Sequence, residues 1–376
     1  MSEFAAGPAG RIERVRALMV ERGYDAIVVR DEANLRWLTG VKGVFDYTFE
    51  FPHAAFITAD QCLFHTDSRY LNSFEENTPA GSPWAYDMDE GTIPGWVAGK
   101  IAANKCRVCA VEDDMQINFY QGIQRGLEDR SVACMLPLMH DDIRKMRAVK
   151  DAEEIELMRH AQSITDAAFQ HMLGFIKPGM TEKQVRNELE NFMFANGADS
   201  LAFGSIVASG PNTANPHAVP SDRVIEKGDF VLMDYGAGYC DYRSDMTRTV
   251  VMGEPTQEQL DLYALVRRTH EECVAAIHPG VEGNDIFKLS KKIIGDAGYG
   301  DYYNHGLGHG VGIDIHELPN FNRSKNIIEV GSVITMEPGV YLPGVGGVRL
   351  EDYGVVTENG YEPFTKTPHD LHVIDC

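Results

Sequence analysis

From residue 10 to about 135 the apolar positions switch repeatedly between helical and strand spacing. Ile12, Val15, Leu18 and Met19 recur at helical intervals, Gly23 supplies a C-terminal stop, and Tyr24 to Arg30 then reads as a strand. Further strands are predicted at His53 to Thr58, Cys62 to His65, Cys106 to Val111 and Ser131 to Leu138, with helices over 94–104 and 117–127. Alternation of this kind predicts an α/β domain over 1–140. It carries no glycine-rich phosphate fingerprint after its first strand.

The pattern changes near residue 140. Asp151-Ala152-Glu153-Glu154 leads into a long amphipathic helix with Ile155, Met158, Ile164 and Phe169 on one face, and Pro178-Gly179 stops it. Thr181 with Gln184 predicts a capping box on the next helix, and Thr256 with Gln259 predicts one on the corresponding helix in the second half. The correspondence extends along the chain. Ile176-Lys177-Pro178-Gly179 matches Ile277-His278-Pro279-Gly280, His217-Ala218-Val219-Pro220 matches His316-Glu317-Leu318-Pro319, and the strand ending at Asp234 matches the strand ending at Glu337. Two such units are too few for an open solenoid, so they are expected to pack face to face around a pseudo-twofold axis within a second domain, 141–376.

A formal charge of −22 over 376 residues argues against nucleic acid or an anionic membrane as partner, because phosphate binding needs clustered Lys and Arg. No basic start followed by an apolar core opens the chain, and no stretch approaches the length of a membrane span, which reads as cytoplasmic. Seven scattered cysteines suit reduced thiols. Cys106 and Cys109 form a CxxC, but without a second pair it reads as two half-buried strand cysteines rather than a zinc or redox site.

The acids concentrate where the repeats coincide. A hairpin of Val231 to Ala237 with Tyr242 to Val251, turning through Gly238 to Asp241, is expected to set Asp234 and Asp245 opposite each other. Glu337 ends an apolar strand at a Pro-Gly turn, and Arg349 and Glu351, two apart, share a strand face. Arg349 is then either a salt-bridge partner or a substrate contact. Between these elements, His305-Gly306-Leu307-Gly308-His309-Gly310-Val311-Gly312 is too glycine-rich for a helix, lacks the dinucleotide spacing and opens no HExxH. It reads as backbone passing close to a neighbour with imidazoles aimed inward. Four acids buried together would repel without a counter-ion, and carboxylates with one or two imidazoles suit a pair of Mn, Co, Fe or Zn ions. No GxSxG is present to suggest serine chemistry. Glu358 and Glu362 fall in turns and receive no role.

At these residues the chain resembles the pita-bread metallopeptidases, and most closely the Xaa-Pro peptidases, aminopeptidase P and prolidase. Thr66-Asp67-Ser68-Arg69-Tyr70 is similar to part of the creatinase-type N-terminal domain of that family. The resemblance implies an α/β N-terminal domain followed by an α+β pita-bread catalytic domain. It implies five metal ligands, Asp234, Asp245, His309, Glu337 and Glu351, with Asp245 and Glu351 bridging two ions, Mn first and Co, Zn or Fe after it. It further implies that His217, His305, His316 and Arg349 contact substrate or support the ligands, that Glu337 shuttles a proton, and that His305 and His316 stabilise an oxyanion or hold the proline end. The substrate it implies is a peptide with proline in second position, and the assembly a homodimer. Creatinase-like cleavage of a non-peptide C–N bond and a silent peptide-binding module of the same fold are the alternatives. The aromatic stretch Phe45 to Pro52 is a candidate loop for restricting substrate length.

Overall fold

The computed structural model describes residues 7–44, 51–88, 91–322 and 325–375; most of the aromatic stretch, 45–50, lies outside them. The chain divides into two compact units, Met1–Arg147 and Ala148–Cys376.

In the first unit the order is α1 (Gly7–Arg22), β1 (Ala26–Val29), α2 (Glu32–Thr39), β2 (Ala54–Thr58), β3 (Cys62–His65), α3 (Leu71–Asn77), β4 (Ala85–Asp87), α4 (Ile93–Ala103), β5 (Cys109–Val111) and α5 (Ile117–Asp129). The strands form one mixed sheet ordered β4-β3-β2-β1-β5. β1 and β2 are buried at every position, as a sheet covered on both faces requires. α4 and α5 cover it through Trp96, Val97, Ile101, Phe119, Ile123 and Leu127. The sequence predicts none of α2, α3 and β4: the two helices span only about two turns each, too few for helical periodicity to register, and β4 is a three-residue edge strand with no buried position. The strand expected over Ser131 to Leu138 reduces to two isolated bridges, Val108–Met135 and Val111–Leu138. Pro137 donates no N–H, and Met135 and Leu138 are exposed, so the segment only skirts the sheet edge. Cys106 and Cys109 are free, buried thiols, and burial pushes Cys106 up to about 11, which leaves it unreactive.

α6 (Asp142–Ala148) leads into the second unit, where the duplication is explicit. α7 (Ala152–Phe175) and α8 (Glu182–Ala195) precede β6 (Ser200–Leu201), β7 (Ile206–Ser209), β8 (Phe230–Tyr235), β9 (Ala237–Tyr239), β10 (Tyr242–Arg243) and β11 (Met246–Met252). α9 (Gln257–Ala275) and α10 (Gly283–Asp296) precede β12 (Gly308–Gly310), β13 (Glu317–Phe321), β14 (Val333–Met336), β15 (Gly339–Leu342), β16 (Gly346–Arg349), β17 (Asp352–Thr357), β18 (Gly360–Pro363) and β19 (Val373–Ile374). The antiparallel trio β7-β8-β11 in one sheet matches β12-β14-β17 in the other.

Single hydrogen bonds repeat as well. The Gly179 N–H donates to Ile225 O at 2.9 Å and the Gly280 N–H to Ile328 O at 2.7 Å; the Gly228 N–H donates to Met252 O at 2.7 Å and the Gly331 N–H to Val356 O at 2.8 Å. Each half packs its helices on its own sheet, Phe169, Met172 and Leu189 against Val231 and Met233 in one, Cys273 and Ile286 against Ile334 and Met336 in the other. On the long helix Met158, Ile164 and Phe169 are buried as predicted, whereas Ile155 is half-buried.

Both capping boxes form, but one belongs to a different helix than expected. Thr256 caps α9, the counterpart of α7, whose own box is Asp151 with Glu154. The true counterpart of Thr181 is Glu282, which starts α10 without a side-chain cap. Among the described residues no helix is long and apolar enough to cross a membrane.

Candidate metal centre

β8 and β11 deliver the first two acids. Asp234 pairs across the ladder with Thr247, so Asp245, two residues before Thr247, is its diagonal neighbour on the same face rather than its direct opposite. The reversal is tighter than expected, a two-residue turn at Cys240 and Asp241 with φ of 47° and 72°, and the strands then draw together at Gly236. A Cβ there would lie 1.9 Å from Ser244 O.

The second half supplies the rest. Glu337 follows β14, and its N–H donates to Leu307 O at 2.8 Å. Glu351 lies in the connector between β16 and β17 rather than in the strand that holds Arg349. It is fixed from the other half, its N–H donating to Thr247 O at 3.1 Å and its carboxylate accepting from the Thr247 hydroxyl at 2.7 Å.

The glycines around His309 are required by close approach. A Cβ on Gly308 would sit 2.3 Å from Thr335 O, and one on Gly310 2.2 Å from Leu318 O. β12 is thereby pressed between β13 and β14 and points His309 inward. Its Nδ1 lies 3.0 Å from Gly310 O, the geometry of an N–H donating to a carbonyl. Nε2 is left facing Asp245 at 3.6 Å and Glu337 at 3.5 Å.

All nine residues singled out from the sequence line one cavity of about 630 Å³ in the second unit: Asp234, Asp245, His309, Glu337, Glu351, His217, His305, His316 and Arg349. Arg349 is 2% exposed, and all three of its guanidinium nitrogens are engaged. Nη2 donates to Asp234 at 2.6 Å, Nη1 to the Tyr341 hydroxyl at 2.9 Å and Pro216 O at 3.3 Å, and Nε to the Thr247 hydroxyl at 3.1 Å. His305 Nδ1 is 2.6 Å from Gly306 O and Nε2 is 2.9 Å from the Tyr341 hydroxyl. The rings of His309 and His316 meet edge to face at 4.3 Å. Tyr341 and Thr247 escaped the sequence reading. Thr247 shares the strand face of Asp245, a signal that was available; Tyr341 had none.

Burial dominates the electrostatics. It drives the Asp245 carboxyl well above its ordinary range, with the charges of Asp234 and Glu337 adding to the effect. Burial and then Asp245 do the same to Glu351, and burial carries Glu337 up to about 8 against the pull of Arg349. Burial takes His309 down to about 3 and His305 to about 4, so both imidazoles are neutral. One guanidinium cannot balance four carboxyls, and Asp234 Oδ1 is buried with no hydrogen-bond partner among the described residues. Donor atoms of Asp245, His309 and Glu351 lie within 4.8 Å of one another. A neutral imidazole, under-compensated carboxylates and an orphaned oxygen are the donor set that divalent cations fit.

In protein stripped by a chelator, that chemistry sets a pH dependence. A carboxyl raised in the folded state keeps its proton where the unfolded chain has lost it. Between about pH 4.5 and 8, the span of the Glu337 shift, the native state therefore binds more protons, and stability falls as pH rises. Stripped protein is expected to lose up to about 1.4 kcal/mol per pH unit for each such group in urea titrations across that window. Restoring divalent ions should flatten the slope. A stripped protein equally stable at both ends would show that the carboxyls are not raised.

Carboxylates brought by two copied halves to one neutral imidazole define a metal-dependent hydrolase of the duplicated α+β, or pita-bread, architecture. Residues 156–358 match metallopeptidase family M24, and residues 11–149 match the Creatinase/Prolidase N-terminal domain. The chain belongs to metallopeptidase family M24 and is a metallopeptidase whose family carries divalent metal ions. It is 36% identical to the uncharacterized peptidase YqhT of Bacillus subtilis over 97% of this chain and 100% of that one. Among solved structures it is similar to an Xaa-Pro dipeptidase from Bacillus anthracis, with a TM-score of 0.89, 36% identity and coverage of 98% and 100%. It is also similar to an X-Pro aminopeptidase from Thermotoga maritima, with a TM-score of 0.85, 31% identity and coverage of 97% and 100%.

Proposed function

We propose that the chain hydrolyses the peptide bond between an N-terminal residue and a proline in second position, as an Xaa-Pro dipeptidase or aminopeptidase. The observation that carries this is the convergence of Asp234, Asp245, Glu337 and Glu351 with His309 in one open cavity, together with relatives named for Xaa-Pro cleavage. In this reading Asp234, Asp245, His309, Glu337 and Glu351 would hold two divalent ions, Mn first. Such ions, when bound, polarise a carbonyl and lower the pKa of a shared water.

The side chains then divide the remaining work. Glu337 takes the proton from the attacking water and returns it to the departing proline nitrogen, which keeps the electron pair of the broken C–N bond and leaves as a neutral secondary amine once protonated. His316, held neutral by burial and by the nearby His217, offers its N–H to the carbonyl oxygen as charge develops there. His305 has both ring nitrogens engaged by Gly306 and Tyr341, so it holds the proline end by its ring rather than as a proton donor. Arg349, consumed by Asp234 and Tyr341, positions the ligand carboxylate. His217 borders the same wall as Pro216, Val219 and Pro220, an apolar rim for the proline ring.

The proposal includes a homodimer, as the resemblance implies, and a cytoplasmic setting, supported by the six free cysteines among the described residues. The experiment is metal-loaded hydrolysis of Ala-Pro and Ala-Pro-Gly-Gly before and after chelation. Release of alanine that disappears with the metal supports the reading, and the preferred length separates dipeptidase from aminopeptidase. Tight peptide binding without cleavage, or cleavage of creatine instead, overturns it.

A further inference from the structure

A second group of metal-ligating side chains lies behind the first. Asp352 follows Glu351 directly, and in extended chain successive side chains point to opposite faces. Glu351 lines the cavity, whereas Asp352, 3% exposed, turns away from it toward α9 and the C-terminal segment. There it meets two histidines from separate parts of the second unit. His270, from α9, is 1% exposed and His369 is partly open to solvent. Asp352 Oδ2 lies 2.5 Å from His369 Nε2 and 3.5 Å from His270 Nε2, and the two rings are 4.7 Å apart. Arg248 donates to the other oxygen, Oδ1, at 2.7 Å, so Oδ2 is left to face the imidazoles.

His270 is the informative member. Neither of its ring nitrogens has a hydrogen-bond partner among the described residues, although burying a polar group without one is costly. Burial also carries it down to about 4, against the pull of Asp352, so its nitrogens are free of the second proton that would bar a metal. One donor atom from each of the three residues lies within 4.8 Å of the other two. The Asp352–His270 separation is close to the edge of a tetrahedral site with bonds of about 2.0–2.2 Å. His369, partly exposed, needs to swing outward by only about 1 Å to match it.

We propose that His270 Nε2, Asp352 Oδ2 and His369 Nε2 form a second, mononuclear site for a divalent transition-metal ion of the zinc class, separate from the carboxylate centre. Two imidazoles with one carboxylate suit Zn²⁺ or Co²⁺ and suit Mg²⁺ or Ca²⁺ poorly. An ion there ties α9 and the C-terminal segment to the start of β17, one residue from Glu351, and so braces the backbone that presents that carboxylate.

The test counts ions on the full chain. Chelator-treated protein is reloaded with Zn²⁺ alone and analysed by elemental analysis, and Co²⁺ is titrated in parallel by visible absorption, where four-coordinate nitrogen-ligated cobalt is strongly coloured. His369→Ala is expected to hold one ion per chain fewer than the unaltered protein and to lose that absorption, and His270→Asn to bind the ion at least about tenfold more weakly. His369 lies at the surface, and His369→Gln serves as a second variant if alanine perturbs folding. Asp245→Asn separates the two sites: it should keep the colour that His369→Ala abolishes, whatever becomes of the carboxylate centre. Equal ion counts and spectra for His369→Ala and the unaltered protein would overturn the site and leave a hydrogen-bonded Asp–His pair.

Discussion

Asp245→Asn is expected to lower metal-dependent hydrolysis of Ala-Pro by at least about a thousandfold, a loss of about 4 kcal/mol of transition-state stabilisation, and to weaken metal loading in step with it. The residue is 3% exposed, and burial, Asp234 and Glu337 all press its carboxyl in the same direction. Asparagine keeps the shape and removes the charge. The same substitution should therefore act with opposite signs on the two forms of the protein. Stripped of ions, the variant loses a self-repelling carboxyl and should be more stable than the unaltered chain at pH 8 by about 1–2 kcal/mol. Loaded with ions, it should be less stable, because binding free energy that stabilised the native state is gone. Thermal melts of both proteins with and without Mn²⁺ read the crossing directly. Normal turnover with normal loading would mean that Asp245 is not a ligand.

The parts of this molecule that could be read from its sequence are those where chemistry and repetition coincide. Asp234, Asp245, Glu337 and Glu351 stood out because they fall at matched ends of matched strands, and repetition filters chance acids that a single strand does not. The glycines around His309 declared a close approach before the neighbour was known, and Thr335 and Leu318 are that neighbour. What stayed hidden depended on register. Whether Asp234 faces Asp245 or Thr247 turns on two residues of ladder offset, and Gly236, where the strands nearly touch, is invisible to hydrophobic alternation. Thr256 shows the converse. Its capping box is real, but a local motif cannot say which copy of a helix it starts. Tyr341 carries no motif, yet it joins His305 to Arg349, because only packing brings β15 beside that guanidinium.

Arg349→Met is expected to destabilise the protein by about 3–5 kcal/mol, measured by urea unfolding at pH 8 without added metal. Methionine matches the length of the side chain and fills its volume, so the loss isolates charge and hydrogen bonding from packing. Arg349 reaches four partners from one buried position: Asp234, Tyr341, Thr247 and Pro216 O. Removing it leaves Asp234 and its neighbouring carboxyls without the one guanidinium that offsets them. Arg349→Lys keeps the charge but not the fork, since an ammonium cannot span Asp234 and Tyr341 together, and should recover only part of the loss. Kinetics distinguish the two roles that a strand arginine beside the carboxylates can play. Because every guanidinium nitrogen is already engaged within the protein, metal-loaded Arg349→Lys is expected to lose kcat with KM for Ala-Pro nearly unchanged, as Asp234 shifts from its place. A raised KM with kcat and stability both intact would instead make Arg349 a direct contact of the substrate, and the hydrogen bonds to Asp234 and Tyr341 would then be a resting arrangement that the peptide displaces.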